Sequence, residues 1–321
     1  MPRAPQNTIV TLMGPTAAGK TDLAMRLADE LRLEIISVDS AMIYRGMDIG
    51  TAKPPAAVRE RYPHRLVDVK DPAQSYSVGE FVDDAKACVV AALEAGRLPL
   101  LVGGTMLYFK AFKGGLADMP TTSAEVRSEL ERRARREGLP ALHAQLLRVD
   151  PTAAAAIHPN NRQRLLRALE VHAMAGRPIS EYWAQQKPGG VAGSLGCRLV
   201  EFAIEPSREL IRARIERRFG DMLEAGLLDE VRGLMARGDL SIEMPSMRAV
   251  GYRQVWQHLG GSIDHATMLV NAIAATRQLA KRQATWLRGW TGKYVLNDTA
   301  EANLGAILQS IEGDRIVPAS P

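Results

Sequence analysis

Residues 14–21 read Gly-Pro-Thr-Ala-Ala-Gly-Lys-Thr and match the pattern G-x-x-x-x-G-K-[ST] at every fixed position. An apolar, β-branched run at residues 8–13 precedes this segment, and residues 22–33 after it carry apolar side chains at helical spacing. In such a strand–loop–helix unit, backbone N–H groups and the helix N-terminus face phosphate oxygens. The segment predicts a site for a di- or triphosphate, against the alternative of a tight turn with a chance lysine.

Each type of residue in the predicted loop has an expected role in phosphate binding. The glycines let backbone amides approach a phosphate, Lys20 adds a full positive charge, and the hydroxyl of Thr21 can ligate Mg²⁺. Mg²⁺ is therefore the expected cofactor. The predicted phosphate-binding residues are Gly14, Pro15, Thr16, Ala17, Ala18, Gly19, Lys20 and Thr21.

Strand and helix patterns alternate through the first third of the chain, which predicts a parallel sheet. Further strands are expected at residues 34–38, 64–69 and 98–102, and an amphipathic helix at residues 78–95. From about residue 117 the pattern is helical and rich in Ala, Leu and Arg, up to a Pro/Gly-rich stretch at residues 187–196. Strand character returns at residues 198–204, helices follow to about residue 287, and residues 293–296 predict an edge strand before a polar, frayed tail.

These patterns predict an α/β fold, a P-loop NTPase-like parallel sheet flanked by helices, with an all-helical insertion domain. The expected division is a first part of the core at residues 1–116, the insertion at residues 117–197, and the second part of the core at residues 198–321. A length of 321 residues agrees with one main body plus a second lobe.

Composition narrows the class of protein. Apolar residues make up 46% and charged residues 24%, which is ordinary for a globular chain. A net charge of +5 suits a polyanionic partner without proving one. The two cysteines form no C-x-x-C pair, which argues against a zinc cluster. The N-terminal residues have no apolar signal segment, so the cytoplasm is the expected location.

The loop by itself does not identify its phosphorylated ligand. In NTPases a strand that ends in an acidic residue normally supplies a second contact to Mg²⁺, but the apolar run at residues 98–102 is followed by Gly103, Gly104 and Thr105. This weakens the NTPase interpretation. A carboxylate does follow the second predicted strand, at Asp39, where open α/β sheets bind ligands. A helix N-cap is the alternative role for Asp39.

Six sequence blocks, in order along nearly the whole chain, resemble the bacterial tRNA dimethylallyltransferases, also called tRNA isopentenyltransferases. The blocks are residues 14–21 (GPTAAGKT), 37–54 (SVDSAMIYRGMDIGTAKP), 101–111 (LVGGTMLYFKA), 158–170 (HPNNRQRLLRALE), 248–254 (RAVGYRQ) and 276–288 (TRQLAKRQATWLR).

The resemblance implies transfer of a dimethylallyl group from dimethylallyl pyrophosphate to N6 of the adenine 3′ of the anticodon, position 37. The substrates would be tRNAs that read codons beginning with U, and the products N6-isopentenyladenosine and pyrophosphate. It also implies a monomer that contacts the anticodon stem-loop. Many members carry glutamine where this chain has Met42, so a side-chain hydrogen bond to the adenine is not expected from that position.

Three residues are the expected catalytic groups. An exocyclic adenine amine is a poor nucleophile, so Asp39 is expected to accept its proton. The family pattern points to Arg218, in an arginine-rich predicted helix, as a group that opposes charge on the departing pyrophosphate. Thr105 is expected to place its hydroxyl near the bridging oxygen or the adenine. The alternatives are a solvated helix face for the arginine and a helix cap for the threonine.

The expected RNA-binding surface combines several segments. Arg277, Lys281 and Arg288 share one helix face, and no acidic residue lies between residues 272 and 289. The tryptophans nearby are expected in the core, whereas Tyr252 could stack on a base. The predicted tRNA-binding residues are Asp39, Ser40, Ala41, Met42, Thr105, Arg127, Gln163, Arg164, Leu165, Leu166, Arg167, Arg248, Ala249, Val250, Gly251, Tyr252, Arg253, Arg277, Lys281, Arg282 and Arg288, of which Arg127 is the weaker candidate.

Two other functions compete with this interpretation. A P-loop small-molecule kinase would share the strand–loop–helix unit but bind ATP. An RNA-binding protein without catalysis would not need the complete set of Lys20, Thr21 and Asp39. Transfer to N6 further requires that the adenine leave its stack, so base flipping is expected.

Overall fold

In the computed structural model the phosphate-loop motif lies between a strand and a helix, as its sequence context predicts. The structure describes residues 7–117, 119–120, 123–185, 189–296 and 299–312. The chain divides into two compact units, Met1–Lys113 with Val191–Pro321 and Gly114–Gly190. The predicted insertion extends to residue 197, but Val191 and Ala192 are buried in the core of the first unit.

The first segment of the chain alternates strands and helices. Its elements are β1 (Thr8–Met13), α1 (Lys20–Glu30), β2 (Leu33–Val38), α2 (Ala56–Arg61), β3 (His64–Arg65), α3 (Val78–Glu94), β4 (Leu98–Gly103) and α4 (Met106–Gly114). A capping box at Ser77 and Glu80 fixes the start of α3, because each side chain accepts from the other residue's backbone N–H.

The unit Gly114–Gly190 is helical in its described part. It contains α5 (Ala124–Glu137), α6 (Leu139–Val149), α7 (Pro151–Ala156), α8 (Arg162–Ala175) and α9 (Ile179–Ala184). Leu142, Leu146 and Leu165 are fully buried in its own core. Buried Asp150 caps α7 through the N–H of Ala153 and also accepts from Ser180. The unit thus has a separate hydrophobic core and internal polar links.

The chain then returns to the sheet. The elements are α10 (Gly190–Ser194), β5 (Arg198–Ile204), α11 (Arg208–Glu224), α12 (Leu227–Ala236), α13 (Tyr252–Leu259), α14 (His265–Arg288), β6 (Tyr294–Leu296) and α15 (Ala300–Glu312). None of the helices in the described ranges has both the length and the apolar character that crossing a membrane requires.

The described strands form one parallel sheet in the order β3-β2-β4-β1-β5-β6. All six residues of β1 are buried, and they alternate between two cores: Ile9 and Met13 lie in one, Val10 and Leu12 in the other. Helices therefore cover both faces, as parallel sheets require. The predicted α/β class and edge strand are confirmed.

Two predicted elements are wrong. Residues 64–69 were expected as one strand, but β3 ends at Arg65, because Leu66 and Asp68 take positive φ values of 62° and 58°. Asp68 instead pairs with the buried ammonium group of Lys53. The predicted frayed tail contains α15, where Ile307 is fully buried in the core that includes β1 and α1.

Substitution of Gly103, the last residue of β4, tests the close packing of β4 against β2. A Cβ at this position would lie 2.1 Å from the carbonyl oxygen of Val38 on β2. We expect Gly103→Ala to lower the free energy of unfolding by about 2 kcal/mol or more, because backbone must move. Urea unfolding measures this. The matched control is Gly233→Ala in α12, where the Cβ meets open space and the expected change is a gain of ~0.5–1 kcal/mol. Equal effects of the two substitutions would contradict the packing described here.

Candidate active site

A cleft of about 1210 Å³ opens in the first unit at the carboxyl ends of β1, β2 and β4. Its lining includes Lys20 and Thr21 of the phosphate loop, Asp39 after β2, Thr105 after β4 and Arg218 of α11. Parallel pairing explains the arrangement, since strands that run in one direction end at one edge of a sheet. The structure thus brings the residues proposed as catalytic and the phosphate loop to one cavity.

The phosphate loop is shaped by backbone conformation. Gly19 precedes α1 with φ 87°, and Ala17 also has a positive φ of 62°. Gly14 leaves little space, because a Cβ there would lie 3.1 Å from the carbonyl oxygen of Ile204 on β5. The ammonium group of Lys20 donates to the carbonyl of Pro15 at 2.7 Å. The lysine is therefore folded back over its own loop, as a group that holds a phosphate must be.

Burial lowers the pKa of Lys20 to about 8. The carboxylate of Asp39 acts in the opposite direction and Arg218 in the same direction as burial. Burial also lowers the pKa of Arg218, again with partial compensation by Asp39. These three charged groups are therefore close enough to interact, and two cations face one carboxylate. The net positive charge of these three groups favours the binding of an anion in the cleft.

Asp39 holds a turn rather than capping a helix. Its Oδ1 accepts from the N–H groups of Ala41 (2.8 Å) and Met42 (3.2 Å). The next residue, Ser40, donates its N–H to Oγ1 of Thr105 at 3.1 Å. The hydroxyl of Thr105 therefore ties the loop after β4 to the loop after β2.

Two arginines of α11, one turn apart, reach the cleft. Arg214 donates to the carbonyl of Ala17 at 3.4 Å, and Arg218 donates to the carbonyl of Thr51 at 3.3 Å. The arginine-rich segment is thus more than a solvated face, since at least these two side chains point to the phosphate loop and the facing loop. Arg214 was not among the predicted site residues, although its spacing from Arg218 is visible in the sequence.

Gln283 of α14 was also missed by the sequence analysis. Its Oε1 accepts from the N–H of Thr16 at 2.9 Å, and its Nε2 donates to the carbonyl of Gly104 at 2.9 Å. Gln283 stands between buried Ala280 and Leu287 at helical spacing. A polar residue within an apolar stripe is the signal in the sequence that indicates such a position. Because Gln283 is uncharged, a search for basic residues does not find it.

Tyr252 does not form a stacking platform, which corrects the expectation for this residue. Its side chain is fully buried, and its hydroxyl donates to Glu230. The same carboxylate accepts from the N–H groups of Asp48, Ile49 and Gly50. A Cβ at Gly50 would lie 2.5 Å from the ring of Tyr252, so this ring is packed directly on the loop. Its role is to hold the loop that accepts from Arg218.

The predicted contacts on α8 divide into core and surface. Leu165 and Leu166 are buried in the core of the helical unit, so their side chains are not available to RNA, contrary to the prediction. The apolar stripe of α8 accounts for both positions. Arg167 pairs with buried Glu170, to which Arg127 also lies within 3.7 Å. Among the predicted contacts on α8, the exposed residues are Gln163 and Arg164.

The residues 248–253 present two exposed arginines around a less accessible turn. Arg248 and Arg253 are exposed, and Arg248 pairs with Glu243 at 3.2 Å. The turn between them has Gly251 in the left-handed region at φ 93°. The half-buried residues of this turn, Ala249 and Val250, line the cleft together with Gly251. Backbone groups of the turn, rather than the tyrosine ring, are thus the part that a ligand can reach.

The basic face of α14 is less uniform than its sequence suggests. Arg277 pairs with Glu216 of α11, which no inspection of α14 alone could reveal. Lys281, Arg282 and Arg288 are exposed, and Arg282 lies at the cleft. Trp286 was expected in the core but is half-buried and lines the cleft.

Around the loop after β2, Ser40 is exposed, whereas Ala41 and Met42 are half-buried and line the cleft. Their backbone N–H groups are the ones that Asp39 holds in place. The thioether of Met42 is no hydrogen-bond donor, so the polar groups of this loop at the cleft are those of the backbone and the Asp39 carboxylate.

A comparison with protein families assigns the chain. The family model described as IPP transferase matches residues 42–290. The chain belongs to this family. The chain is 54% identical over 303 residues to the tRNA dimethylallyltransferase of Chromohalobacter salexigens, and the match covers 94% of this chain and 96% of the relative.

Solved structures agree with the assignment. The tRNA isopentenylpyrophosphate transferase of Bacillus halodurans is 36% identical with a TM-score of 0.68, covering 95% of this chain and 97% of that one. A eukaryotic dimethylallyltransferase acting on tRNA has a TM-score of 0.78 at 23% identity, over 95% of this chain and 78% of that one. At that identity it supports the fold alone.

The lowered pKa of Lys20 predicts a pH dependence of anion binding. The free ammonium group loses its proton near pH 8, and a bound polyphosphate stabilises the charged form and raises the pKa. The affinity for inorganic pyrophosphate is therefore expected to be highest below pH 8 and to fall by up to about tenfold per pH unit above it. Calorimetry between pH 6.5 and 10 measures this.

The control for this experiment is Lys20→Met, which has no titrating ammonium group at this position. The ionisation of pyrophosphate itself affects both proteins equally. The difference between the two pH profiles isolates the lysine. Parallel pH profiles would show that the protonated form of Lys20 does not contribute to pyrophosphate binding.

Proposed function

We propose that this protein transfers a dimethylallyl group from dimethylallyl pyrophosphate to N6 of adenine 37 of tRNAs that read codons beginning with U. The observation that carries the proposal is the joint placement of Asp39 and the phosphate loop in one cleft, in a chain that belongs to the IPP transferase family. The enzyme class, a tRNA prenyltransferase, follows from a relative named tRNA dimethylallyltransferase that matches 94% of the chain. The expected form is a cytoplasmic monomer.

The leaving group determines the donor side of the site. Breaking the allylic C–O bond leaves negative charge on pyrophosphate, and the first-turn residues of α1 lie where that charge develops. Lys20 is the first cation that opposes this charge, and Arg218 adds a second, partly desolvated cation. Fixed donors in a site of low polarity are typically the largest contribution to catalysis.

The residues of the cleft fit Mg²⁺. Thr21 places a hydroxyl beside Lys20 at the start of α1, and both residues line the cleft. We propose that the Thr21 hydroxyl and phosphate oxygens hold the ion. When bound, the ion would neutralise charge on the phosphates.

Asp39 is the proposed proton acceptor. The N6 lone pair forms the new C–N bond to the allylic carbon as the C–O bond to pyrophosphate breaks, and the N6 proton passes to the carboxylate. One carboxylate oxygen is fixed by two backbone N–H groups, which orients the other. General-base assistance of this kind contributes roughly 10²- to 10⁴-fold.

The adenine must leave its stack to reach a carboxylate inside a cleft, so we propose base flipping, at a cost of a few kcal/mol. Contacts to the anticodon stem-loop would offset this cost. The exposed cations Lys281 and Arg288 on α14 and Arg164 on α8 are suited to phosphate contacts.

The residue at the end of β4 argues against a kinase function. Kinases and related NTPases use a carboxylate after a strand next to the phosphate loop. Here the position is Gly103, where even a Cβ would lie 2.1 Å from the carbonyl of Val38. The packing of the sheet thus excludes a carboxylate side chain at this place.

Mass analysis of nucleosides tests the function. Unmodified tRNA incubated with the protein, Mg²⁺ and dimethylallyl pyrophosphate with labelled carbon is expected to yield labelled N6-isopentenyladenosine. Asp39→Asn retains an oxygen for the turn N–H groups but removes the negative charge, so the transfer rate should fall about 10²-fold or more. Binding of tRNA should remain within a fewfold.

Near-parental turnover of Asp39→Asn would remove Asp39 from the proton-transfer step. No label in tRNA from the parent protein, together with consumption of ATP against a metabolite, would favour the kinase.

The α14 surface leads to a separate prediction on salt dependence. Lys281→Ala is expected to weaken tRNA binding and to reduce the slope of log K against log salt by about one. The control is Arg277→Ala, because Arg277 is already paired with Glu216 and should release fewer counterions. Fluorescence titration at four salt concentrations measures both slopes. Unchanged slope in Lys281→Ala would mean that this lysine is only solvated.

A further inference from the structure

Gln283 joins two loops that the chemistry uses. Its carboxamide oxygen takes the N–H of Thr16 in the phosphate loop, and its carboxamide nitrogen reaches the carbonyl of Gly104 in the loop after β4. Both distances are 2.9 Å, which is the ordinary length of a good N–H···O bond. One neutral side chain therefore satisfies a donor and an acceptor on two adjacent loops.

The bridge continues to the proposed base. Thr105 follows Gly104 directly, and its Oγ1 accepts from the N–H of Ser40, the neighbour of Asp39. The connected order is phosphate loop, Gln283, Gly104–Thr105, and then the loop of Asp39. Three hydrogen bonds thus link the phosphate loop to the loop of Asp39 across the carboxyl ends of β1, β4 and β2.

The rigid base of this bridge is α14. Ala280 and Leu287 precede and follow Gln283 by three and four residues and are 4% and 0% exposed. Residues at these spacings share one helix face, so Gln283 projects from the buried side of a long helix. A side chain held in this way positions its partners more accurately than a side chain on a loop does.

The packing at Gly104 supports the same conclusion independently of the hydrogen bonds. A Cβ at this position would lie 2.4 Å from Nε2 of Gln283 and 3.1 Å from the carbonyl of Gly14. The glycine is thus needed because the carboxamide occupies the space that any side chain would take. Gln283 and Gly104 are matched in shape as well as in hydrogen bonding.

We propose that Gln283 is a positioning residue for the transfer reaction, an inference that rests on the proposed function. By fixing the phosphate loop against the loop of Thr105, it sets the separation of the leaving group from Asp39. The carboxamide does both tasks because it carries an acceptor oxygen and a donor nitrogen. A carboxylate has no N–H for the Gly104 carbonyl and adds negative charge beside a pyrophosphate, and an apolar side chain leaves both backbone groups without this partner.

The test compares Gln283→Ala and Gln283→Glu with Gln278→Ala, an exposed glutamine on the same helix. Single-turnover transfer at saturating donor is expected to fall at least about tenfold in both Gln283 variants and to stay within twofold in the control. The affinity for inorganic pyrophosphate with Mg²⁺ should fall threefold or more, and further in Gln283→Glu. The Kd for tRNA and its salt dependence should not change, which separates positioning from a role in RNA binding.

A double substitution tests the geometry. Gly104→Ala should slow transfer strongly in the parent protein, where the new methyl group meets the carboxamide, and should cost much less in the Gln283→Ala background. Transfer rate and pyrophosphate affinity within twofold of the parent in Gln283→Ala would overturn the proposal, as would an equal cost of Gly104→Ala in both backgrounds.

The controls separate this proposal from the proposed function. If the parent protein transfers no prenyl group, the proposed function fails, and the pyrophosphate titration still measures the effect of Gln283 on the loop. If the parent transfers and Gln283→Ala equals it, only the positioning role fails. Should Gln283→Ala not fold, the isosteric Gln283→Glu supplies the same comparison.

Discussion

The parallel pairing of β2, β4 and β1 is the constraint on which the site depends. Val38 lies opposite Gly103, and Met13 opposite the same glycine on the other side, so the three strands end in register. The close approach of backbone at Gly103 leaves no room for a side chain. Because the strands end together, the phosphate loop, the Asp39 turn and Thr105 all start at the same edge of the sheet.

Charge in this cleft is arranged by burial as much as by sequence. Lys20 and Arg218 both have lowered pKa values because they are removed from water, and Asp39 offsets only part of that cost. A site with two desolvated cations and one carboxylate carries a net positive charge and therefore favours an anion. This electrostatic preparation suits a departing pyrophosphate, since no reorganisation of water is needed when the C–O bond breaks.

The loop that faces the phosphate site has its own support. Glu230 accepts from three consecutive backbone N–H groups and from the buried hydroxyl of Tyr252. The buried ammonium of Lys53 joins the same loop to Asp68. Arg218 donates to the carbonyl of Thr51 within this loop. Tyr252, which the sequence suggests as an RNA contact, thus acts as part of the scaffold that holds this loop.

The sequence by itself determined the phosphate loop, the parallel α/β class, the helical unit and the family, because each depends on local patterns of glycine, charge and hydrophobic spacing. It also indicated Asp39, whose position after a strand is a local property. Only the tertiary structure decided which side chains are accessible. Tyr252 and Leu165 are buried, Glu216 neutralises Arg277, and Gln283 reaches Thr16 across 267 residues of sequence. Such pairings depend on packing between elements that are distant in the chain, and a helical wheel or a motif contains no information about the neighbour that packs against it.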